Sequence, residues 1–146
     1  MITNLSFTNF KSWSELNMPC GRITGVFGTN SSGKSSILQF LLMLKQTKNS
    51  PDRSISLDLN GEYVELGTIK DVIHKHDEGK EIEFSIDFKR EESENEINLI
   101  DPSKSRTSSI VKSRELIFKS GVSIEKLAPS SKYISYRLGK LNFSLR

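Results

Sequence analysis

The sequence predicts an α/β protein in which one strand–turn–helix unit is joined to a larger body of antiparallel strands. The first observation behind this prediction is the stretch RITGVFGTNSSGKSSILQFLLMLKQ from Arg22 to Gln46. There, a short apolar run enters a turn of small residues and leaves it as an apolar helix. The second observation is an alternation of apolar and polar residues after Pro51, which is the period of half-buried strands. With 146 residues, the chain has the length of one ordinary domain.

The N-terminal third is predicted to supply strands and one long helix. Residues 1–10 have alternating apolar side chains, and residues 13–18 can pair back with them. A short buried strand is predicted next from three apolar residues, which are Ile23, Val26 and Phe27. The helix is predicted to begin near Gly33 or Lys34 and to end around Lys48. It is apolar nearly all round, as expected for a helix packed inside a larger α/β body.

The middle third is predicted to contain antiparallel strands and a short helix. The alternating residues 55–59 lead into Asn60-Gly61, a strong signal for a type I′ hairpin, and residues 63–66 would form the return strand. Thr68 can cap a helix over residues 69–76, with an aspartate in its first turn.

The clearest predicted strand covers residues 82–88, where apolar side chains occupy every second position. In the tail, residues 134–138 and 141–145 show the same alternation on either side of the turn Gly139-Lys140. We therefore expect one unit over residues 1–146 with three segments. These are a strand–turn–helix core over 1–50, antiparallel strands with a short helix over 51–100, and a basic, strand-rich tail over 101–146.

The net charge of +3 is unevenly distributed along the chain. Residues 1–50 carry +4, residues 51–101 carry −9 and residues 102–146 carry +8. The basic tail could meet an anionic partner such as DNA or an acidic protein face. The alternative is a solvated strand surface that its lysines keep soluble.

Targeting and membrane signals are not apparent in the sequence. The longest apolar run, residues 37–44, is interrupted by Gln39 and is too short to span a bilayer. Residues 1–10 lack the basic start and apolar run of a signal peptide. Cys20 is the single cysteine, which excludes an internal disulfide and fits a reducing compartment. We expect a soluble, cytoplasmic protein without a membrane partner.

The turn between the predicted strand and helix carries the motif with the clearest chemistry. Residues Gly28 to Ser35, GTNSSGKS, match the Walker A pattern G-x-x-x-x-G-K-[ST]. Its glycines let successive backbone N–H groups point at phosphate oxygens, and the helix start adds its positive dipole end. Lys34 is expected to reach the β- and γ-phosphates of ATP, and Ser35 to place its hydroxyl on Mg²⁺. The structural alternative is a Ser/Gly turn that merely caps a helix.

The residues around this motif carry a resemblance to a known family. Asn30-Ser31-Ser32 resembles the loop of ABC-type ATPases, above all the SMC, RecF and OLD-nuclease relatives, and Asn9-Phe10-Lys11-Ser12-Trp13 resembles their N-terminal start. The resemblance places Lys11 and Ser12 beside the phosphates, although an exposed strand-end lysine is the alternative for Lys11. The expected nucleotide-binding residues are Gly28, Asn30, Ser31, Ser32, Gly33, Lys34, Ser35, Ser36, Lys11 and Ser12, with Ser35 as the metal ligand.

A finer resemblance extends over roughly residues 1–90. SSILQFLLMLKQT and GEYVELGTIKDVIHKHD are similar to segments of bacterial predicted ATPases of an AAA or ABC-like kind. Some of these relatives belong to phage-defence or DNA-processing systems. The resemblance implies a P-loop NTPase core with an antiparallel β subdomain.

The elements that would complete an ATPase of this kind are not recognisable in the sequence. INLID, ending at Asp101, looks like a Walker B strand, but Asn98 interrupts its apolar run and Pro102 stands where a glutamate is needed. Residues 119–123, KSGVS, are a poor match to a signature segment and follow in the wrong order. No catalytic residue is visible, and we expect an incomplete ABC-like fold, the N-terminal part of a longer ATPase.

Three further candidates have simpler structural alternatives. His74 and His76 lie two apart, a spacing that does not share a helix face, and no carboxylate or cysteine completes a metal site. Cys20 lacks a recognisable histidine partner for thiol chemistry. The aromatic residues Phe7, Phe10 and Trp13 could contact an adenine base, but such residues more often form core.

Two functions follow from these patterns. The first is an ATPase module that binds Mg·ATP, dimerises head to head or joins its missing C-terminal half, and drives work on DNA or a partner effector. The alternative is a nucleotide-gated scaffold that binds ATP without hydrolysis and presents a surface to an effector. A P-loop kinase lacks support because no arginine-rich lid is seen, and a small GTPase because no N-K-x-D segment occurs.

Overall fold

The fold combines one long helix with sheets in which every paired strand is antiparallel to its neighbour. It is a computed structural model that describes residues 1–52, 54–77, 79–100, 109–125 and 128–145. The elements are β1 (Ile2–Phe10), β2 (Trp13–Pro19), α1 (Lys34–Asn49), α2 (Ile69–Val72), a 3₁₀ turn (His74–His76), β3 (Ile82–Lys89), β4 (Ile97–Ile100), β5 (Ser109–Ser113), β6 (Glu115–Glu125), β7 (Ala128–Leu138) and β8 (Leu141–Leu145). A six-stranded sheet has the order β2-β1-β3-β6-β7-β8, and β4 pairs with β5.

The hydrophobic core lies between α1 and the strands β1 and β3. Phe40 of α1 is fully buried, and its ring stacks on Phe7 of β1 with a centroid separation of 4.4 Å. The same ring meets Phe84 of β3 edge-on at 5.5 Å. Because successive strand residues face opposite sides, Leu5 and Phe7 both enter this core, as the alternation predicted. Burial of these rings is the main force that holds α1 on the sheet.

Several predicted elements are confirmed. The strands predicted over 1–10, 13–18 and 82–88 correspond to β1, β2 and β3, and those over 134–138 and 141–145 correspond to β7 and β8. The long helix begins at Lys34 and ends at Asn49, within one residue of the predicted limits. The strand β6, in contrast, was not recognised as an element in the sequence, although it pairs with both β3 and β7.

The prediction of a short buried strand before the turn is wrong. Residues 22–27 form no strand, and the side chains of Ile23 and Phe27 are 95% and 94% exposed. An apolar run becomes a buried strand only where neighbouring strands pair with its backbone and cover its side chains. No strand lies alongside this run within the described residues, so the strand half of the predicted core is not formed.

The hairpin predicted with its turn at Asn60-Gly61 reverses two residues later, and it is held by Gln46 of α1. Asn60 pairs with Glu65, the Gly61 N–H donates to the Val64 carbonyl oxygen at 3.0 Å and the Leu66 N–H donates to the Leu59 carbonyl oxygen at 2.9 Å, so the chain reverses at residues 62–63. Gln46 is 3% exposed, and its Nε2 donates to the carbonyl oxygen of Asp58 at 2.7 Å. Its Oε1 accepts from the backbone nitrogen of Val64 at 3.1 Å. These side-chain hydrogen bonds add to the short backbone pairing between residues 59–61 and 64–66.

The helix predicted over residues 69–76 is shorter than expected. α2 ends at Val72, and Ile73 has the extended dihedrals φ −77° and ψ 142°. Lys75 and His76 of the following 3₁₀ turn both have φ 56°, a left-handed conformation that cannot continue an α-helix. Thr68 and Asp71 nevertheless form the predicted start, because the Asp71 carboxylate accepts from the backbone N–H of Thr68 at 2.8 Å.

The two sequence stretches considered as ATPase motifs are ordinary antiparallel strands. Ile97–Ile100 forms β4, which pairs with β5, and Asp101 lies outside the described residues. Residues 119–123 lie inside β6 rather than in a signature turn. Of the predicted fold class, the antiparallel body and the helix after the motif are therefore observed.

Candidate nucleotide-binding site

The loop Gly28–Gly33 is closed by the side chain of Lys34, the first residue of α1. The Lys34 Nζ donates to the carbonyl oxygens of Gly28 and Thr29 at 2.9 and 2.5 Å, and it lies 3.5 Å from the Ser32 Oγ. The ammonium thus lies within the curve of the loop that the Walker A pattern defines. This arrangement puts a positive charge at the N-terminal end of a helix, where the helix dipole is also positive.

The loop meets α1 at Gly33, which is the N-cap residue with φ 85°. A Cβ atom at this position would lie 2.9 Å from the indole Nε1 of Trp13 and 3.0 Å from the Cβ of Ser12. The Trp13 Nε1 donates a hydrogen bond to the Gly33 carbonyl oxygen at 3.0 Å. The structure therefore brings Ser12 and Trp13 directly against the end of the loop.

The backbone of Lys11 is hydrogen-bonded to a second segment, which consists of the end of α2 and the residues that follow it. The Lys11 backbone N–H donates to the carbonyl oxygen of Val72 at 2.6 Å, and the His74 Nδ1 lies 2.8 Å from the Lys11 carbonyl oxygen. Phe10 and Ile73 form the bridge between the two segments. The turn over residues 11–13 is consequently held by α1 on one side and by residues 72–74 on the other.

The remaining predicted site residues differ in exposure. Gly28, Asn30, Ser31 and Ser32 are exposed loop residues, and Ser31 has φ 64°. Ser35 is exposed in the first turn of α1. Ser36, in contrast, is buried with 7% exposure, and its backbone N–H donates to the Gly33 carbonyl oxygen at 3.0 Å. These placements leave Ser35 better placed than Ser36 to offer a hydroxyl to a bound cation.

No protein-only metal centre is found in the part of the chain that the structure describes, since no three His, Cys, Asp or Glu side chains cluster there. The two histidines take backbone partners instead. The His74 Nδ1 faces the Lys11 carbonyl oxygen, and the His76 Nδ1 faces the Lys70 carbonyl oxygen at 2.7 Å. The Cys20 Sγ donates to the Met18 carbonyl oxygen at 3.5 Å.

The aromatic residues divide between core and site. Phe7 and Phe10 are 1% and 0% exposed, so both are core and neither can contact a base. Trp13 is half-buried, and its indole nitrogen is used by Gly33. The hydrogen bond between Trp13 and Gly33 was not predicted, because their separation of twenty residues gives no local sequence signal.

One carboxylate close to Lys11 has a shifted pKa. Hydrogen bonds from the Thr68 hydroxyl and backbone N–H lower the pKa of Asp71, and the charges of His76 and Lys11 lower it further. The carboxylate is therefore ionised over the physiological range. It contributes a negative charge near the ammonium of Lys11.

Some acidic side chains of the middle segment pair with side chains of the basic tail. Lys132 of β7 forms an ion pair with Glu81 at 2.6 Å, and the Tyr133 hydroxyl donates to Glu83 at 3.3 Å. Burial and the neighbouring Glu83 raise the pKa of Tyr133. Basic and acidic segments thus meet across the sheet.

Lys34 follows Gly33 at the start of α1, and this helix packs on the sheet. The model of a family described as an AAA ATPase domain matches residues 1–144, and the chain belongs to this family. No curated protein matches the chain.

One solved structure, from work on the structural biochemistry of ATP-driven dimerization and DNA stimulated activation of SMC ATPases, is similar to the chain. The two share 20% sequence identity with a TM-score of 0.48, and the match covers 97% of this chain and 71% of that chain.

None of the helices within the described ranges has the length and hydrophobicity that crossing a bilayer requires.

Proposed function

We propose that the chain binds Mg·ATP in the loop formed by residues 28–36. The observation that carries the proposal is the position of the Lys34 ammonium, which lies inside this loop within 2.9 Å of the Gly28 carbonyl oxygen at the start of α1. Phosphates in a P-loop are bound by such a lysine together with backbone N–H groups at a helix start. Membership of an ATPase family supports ATP as the nucleotide.

The Mg²⁺ ion would be held by the Ser35 hydroxyl and by oxygens of the nucleotide. A hydroxyl oxygen suits Mg²⁺, which keeps few protein ligands and several waters or phosphate oxygens. The exposure of Ser35 in the first turn of α1 leaves room for these other ligands. Lys11 and Ser12 would face the phosphates, a role supported by the close approach of Ser12 to Gly33.

Hydrolysis in this proposal depends on residues that would come from a partner copy or from further sequence of the same protein. A Walker B aspartate and a glutamate must supplement the loop, because the loop alone positions the phosphates without activating water. ATP would then join two such units, and the cycle would act in the cytoplasm on DNA or on an effector in a DNA-processing or phage-defence system.

A scaffold that binds ATP without hydrolysis is the second candidate. It is favoured by β4, the strand most like a Walker B segment, because β4 pairs antiparallel with β5 instead of lying in a parallel sheet beside the loop. In addition, Pro102 follows where a catalytic glutamate would be required. Such a unit would bind its partner with one affinity when nucleotide is bound and with another when it is not.

The first experiment is a titration of the 146-residue chain with Mg·ATP, followed through the fluorescence of Trp13. Trp13 is the single tryptophan and contacts Gly33, so its emission should report nucleotide in the loop. We expect Lys34→Ala to weaken binding by about a hundredfold, since one charge-assisted contact to phosphate contributes about 1.5–3 kcal/mol. Lys140→Ala, at the exposed turn between β7 and β8, is the matched control and should bind as the unchanged chain does.

Equal affinities of the Lys34→Ala and unchanged chains would contradict the proposal. Phosphate release and light scattering with and without ATP then separate the two candidates. ATP-dependent dimers that release phosphate support the ATPase, whereas tight binding without phosphate release, also with partners present, supports the scaffold.

Contact with DNA is tested by mobility shift at increasing salt. Binding through the basic tail should weaken steeply as salt rises, because each phosphate contact releases counterions. Ion pairs such as Lys132–Glu81 already neutralise part of this charge. Binding that is absent or insensitive to salt would count against a DNA partner.

A further inference from the structure

The turn that carries Lys11 is held through both backbone polar groups of that residue. The Lys11 N–H donates to the Val72 carbonyl oxygen at 2.6 Å, and the Lys11 carbonyl oxygen lies 2.8 Å from the His74 Nδ1. A carbonyl oxygen can only accept, so the Nδ1 must carry the proton and donate it. The bond therefore fixes the imidazole in a form with hydrogen on Nδ1.

The same two segments contain unusual backbone conformations. Asn9 and Lys11 have φ 56° and 49° in the turn, and Lys75 and His76 both have φ 56° after α2. Non-glycine residues adopt this left-handed region at a cost, and they keep it only where the surrounding contacts determine it. The Asn9 side chain adds one such contact by donating to the Glu81 carbonyl oxygen at 2.8 Å.

We propose that His74 is a positioning residue for nucleotide binding, which fixes the Lys11 turn so that the Lys11 side chain and Ser12 face the phosphates. This inference rests on the proposed function, since it deepens the same site. The His74 side chain contacts neither the loop nor the phosphates in this proposal. It acts by donating its Nδ1 hydrogen to the Lys11 carbonyl oxygen.

The geometry explains why this one bond matters to the loop. On the other side of the turn, Trp13 donates to Gly33, so residues 11–13 connect residues 72–74 to the start of α1. Release of the Lys11 carbonyl oxygen would let the left-handed residue relax toward a more common conformation. Its side chain would then leave the orientation set by the turn, in which the Lys11 charge contributes to the lowered pKa of Asp71.

The chain contains a matched control in His76. Its Nδ1 also donates to a backbone carbonyl oxygen, that of Lys70 at 2.7 Å, but this bond stays within one segment and does not reach the turn. We expect His74→Ala to weaken Mg·ATP binding about tenfold, which corresponds to the loss of about one hydrogen bond. His76→Ala should leave the affinity unchanged, and His74→Asn should restore it because its amide can donate to the same oxygen.

A double-mutant cycle distinguishes positioning from general support of the fold. If His74 acts through the Lys11 turn, His74→Ala should cause a clearly smaller loss of affinity in a Lys11→Ala background, because only the contribution of Ser12 then remains to be lost. The same fold loss in both backgrounds would overturn the proposal, and so would an unchanged affinity in His74→Ala alone. His74→Leu, which keeps bulk without a donor, is measured beside it, and folding is verified by thermal unfolding.

The outcomes separate the two proposals. Binding that is lost in Lys34→Ala but retained in His74→Ala overturns the role of His74 and leaves the proposed function standing. Failure of both His74→Ala and His74→Leu to fold, while His74→Asn folds, makes the bond a requirement of folding and overturns the positioning role. Absence of Mg·ATP binding by the unchanged chain overturns both.

Discussion

The indole nitrogen of Trp13 lies 3.0 Å from the carbonyl oxygen of Gly33 and donates a hydrogen bond to it. This bond joins the first residue of β2 to the N-cap of α1. Gly33 has φ 85°, and a Cβ atom there would approach the same indole nitrogen to 2.9 Å. The contact between loop and sheet therefore requires a residue without a side chain.

Gly33→Ala should lower the free energy of unfolding and weaken Mg·ATP binding. The left-handed conformation costs an alanine about 1–2 kcal/mol, and the approach to Trp13 adds to this cost. Urea unfolding gives the change in stability. Gly21→Ala is the control, since its Cβ would meet its nearest neighbour at an ordinary 3.5 Å, and it should change the stability by less than about 0.5 kcal/mol. Equal effects of the two substitutions would contradict this account of Gly33.

Gln46→Leu should destabilise the chain by about 3 kcal/mol, because a side chain of similar size cannot replace the hydrogen bonds of Gln46 to partly buried backbone groups. In this variant the amide hydrogens of Tyr63 and Val64 should exchange faster with solvent, since in the unchanged chain both donate to the Gln46 Oε1. Hydrogen exchange followed by mass spectrometry measures this effect locally. Gln39→Leu, on a half-buried position of the same helix, is the control. Unchanged exchange at residues 63 and 64 would show that Gln46 does not hold this loop.

Asp71 should make stability depend on pH at the acidic end. Its pKa is lowered from 3.8 by the hydrogen bonds from Thr68, so its stabilising contribution is present above that value and is lost as the pH falls through the lower folded value. The difference in melting temperature between the unchanged chain and Asp71→Asn should therefore be full at neutral pH and should shrink on acidification.

Thr68→Val tests the origin of that pH effect. It removes the hydroxyl that donates to Asp71 at 2.7 Å but keeps the backbone donor at 2.8 Å. In the Thr68→Val background, the change with pH of the melting-temperature difference caused by Asp71→Asn should become smaller without disappearing. A constant difference between the unchanged chain and Asp71→Asn at all pH values would contradict the assignment.

Phe27→Ser should leave the stability of the isolated chain within about 0.5 kcal/mol, because the Phe27 ring is 94% exposed. Phe40→Ser, in contrast, removes a fully buried ring and should cost at least about 3 kcal/mol. Thermal unfolding compares the two variants. A large loss in Phe27→Ser would show that residues 22–27 are buried in solution, as the sequence predicted.

The elements that depend on local periodicity could be predicted from the sequence. Strict alternation over residues 82–88 gives β3, and the apolar run after Lys34 gives α1. The Walker A spacing likewise predicts the loop between Gly28 and Ser35, and the family match agrees with an ATPase. These signals are local because each comes from a few consecutive residues.

The features that could not be predicted depend on distant neighbours. Residues 22–27 have the composition of a buried strand, but burial needs adjacent strands that the local pattern cannot supply. Gln46 interrupts the polar–apolar pattern of α1 for a reason that lies in residues 58–64. His74 was considered as a metal ligand, whereas its partner is the Lys11 carbonyl oxygen, 63 positions away.

The position of β1 between β2 and β3 also orders events during protein synthesis. Phe7 can pair with Leu16 early, but its other partner, Phe84, leaves the ribosome almost eighty residues later. Closing so long a loop is slow, and the part of the Phe40 ring that meets Phe84 stays uncovered until it happens. A nascent chain that ends before β3 therefore lacks the Phe84 ring that packs on Phe40, and α1 is held on the sheet by fewer contacts until β3 has emerged.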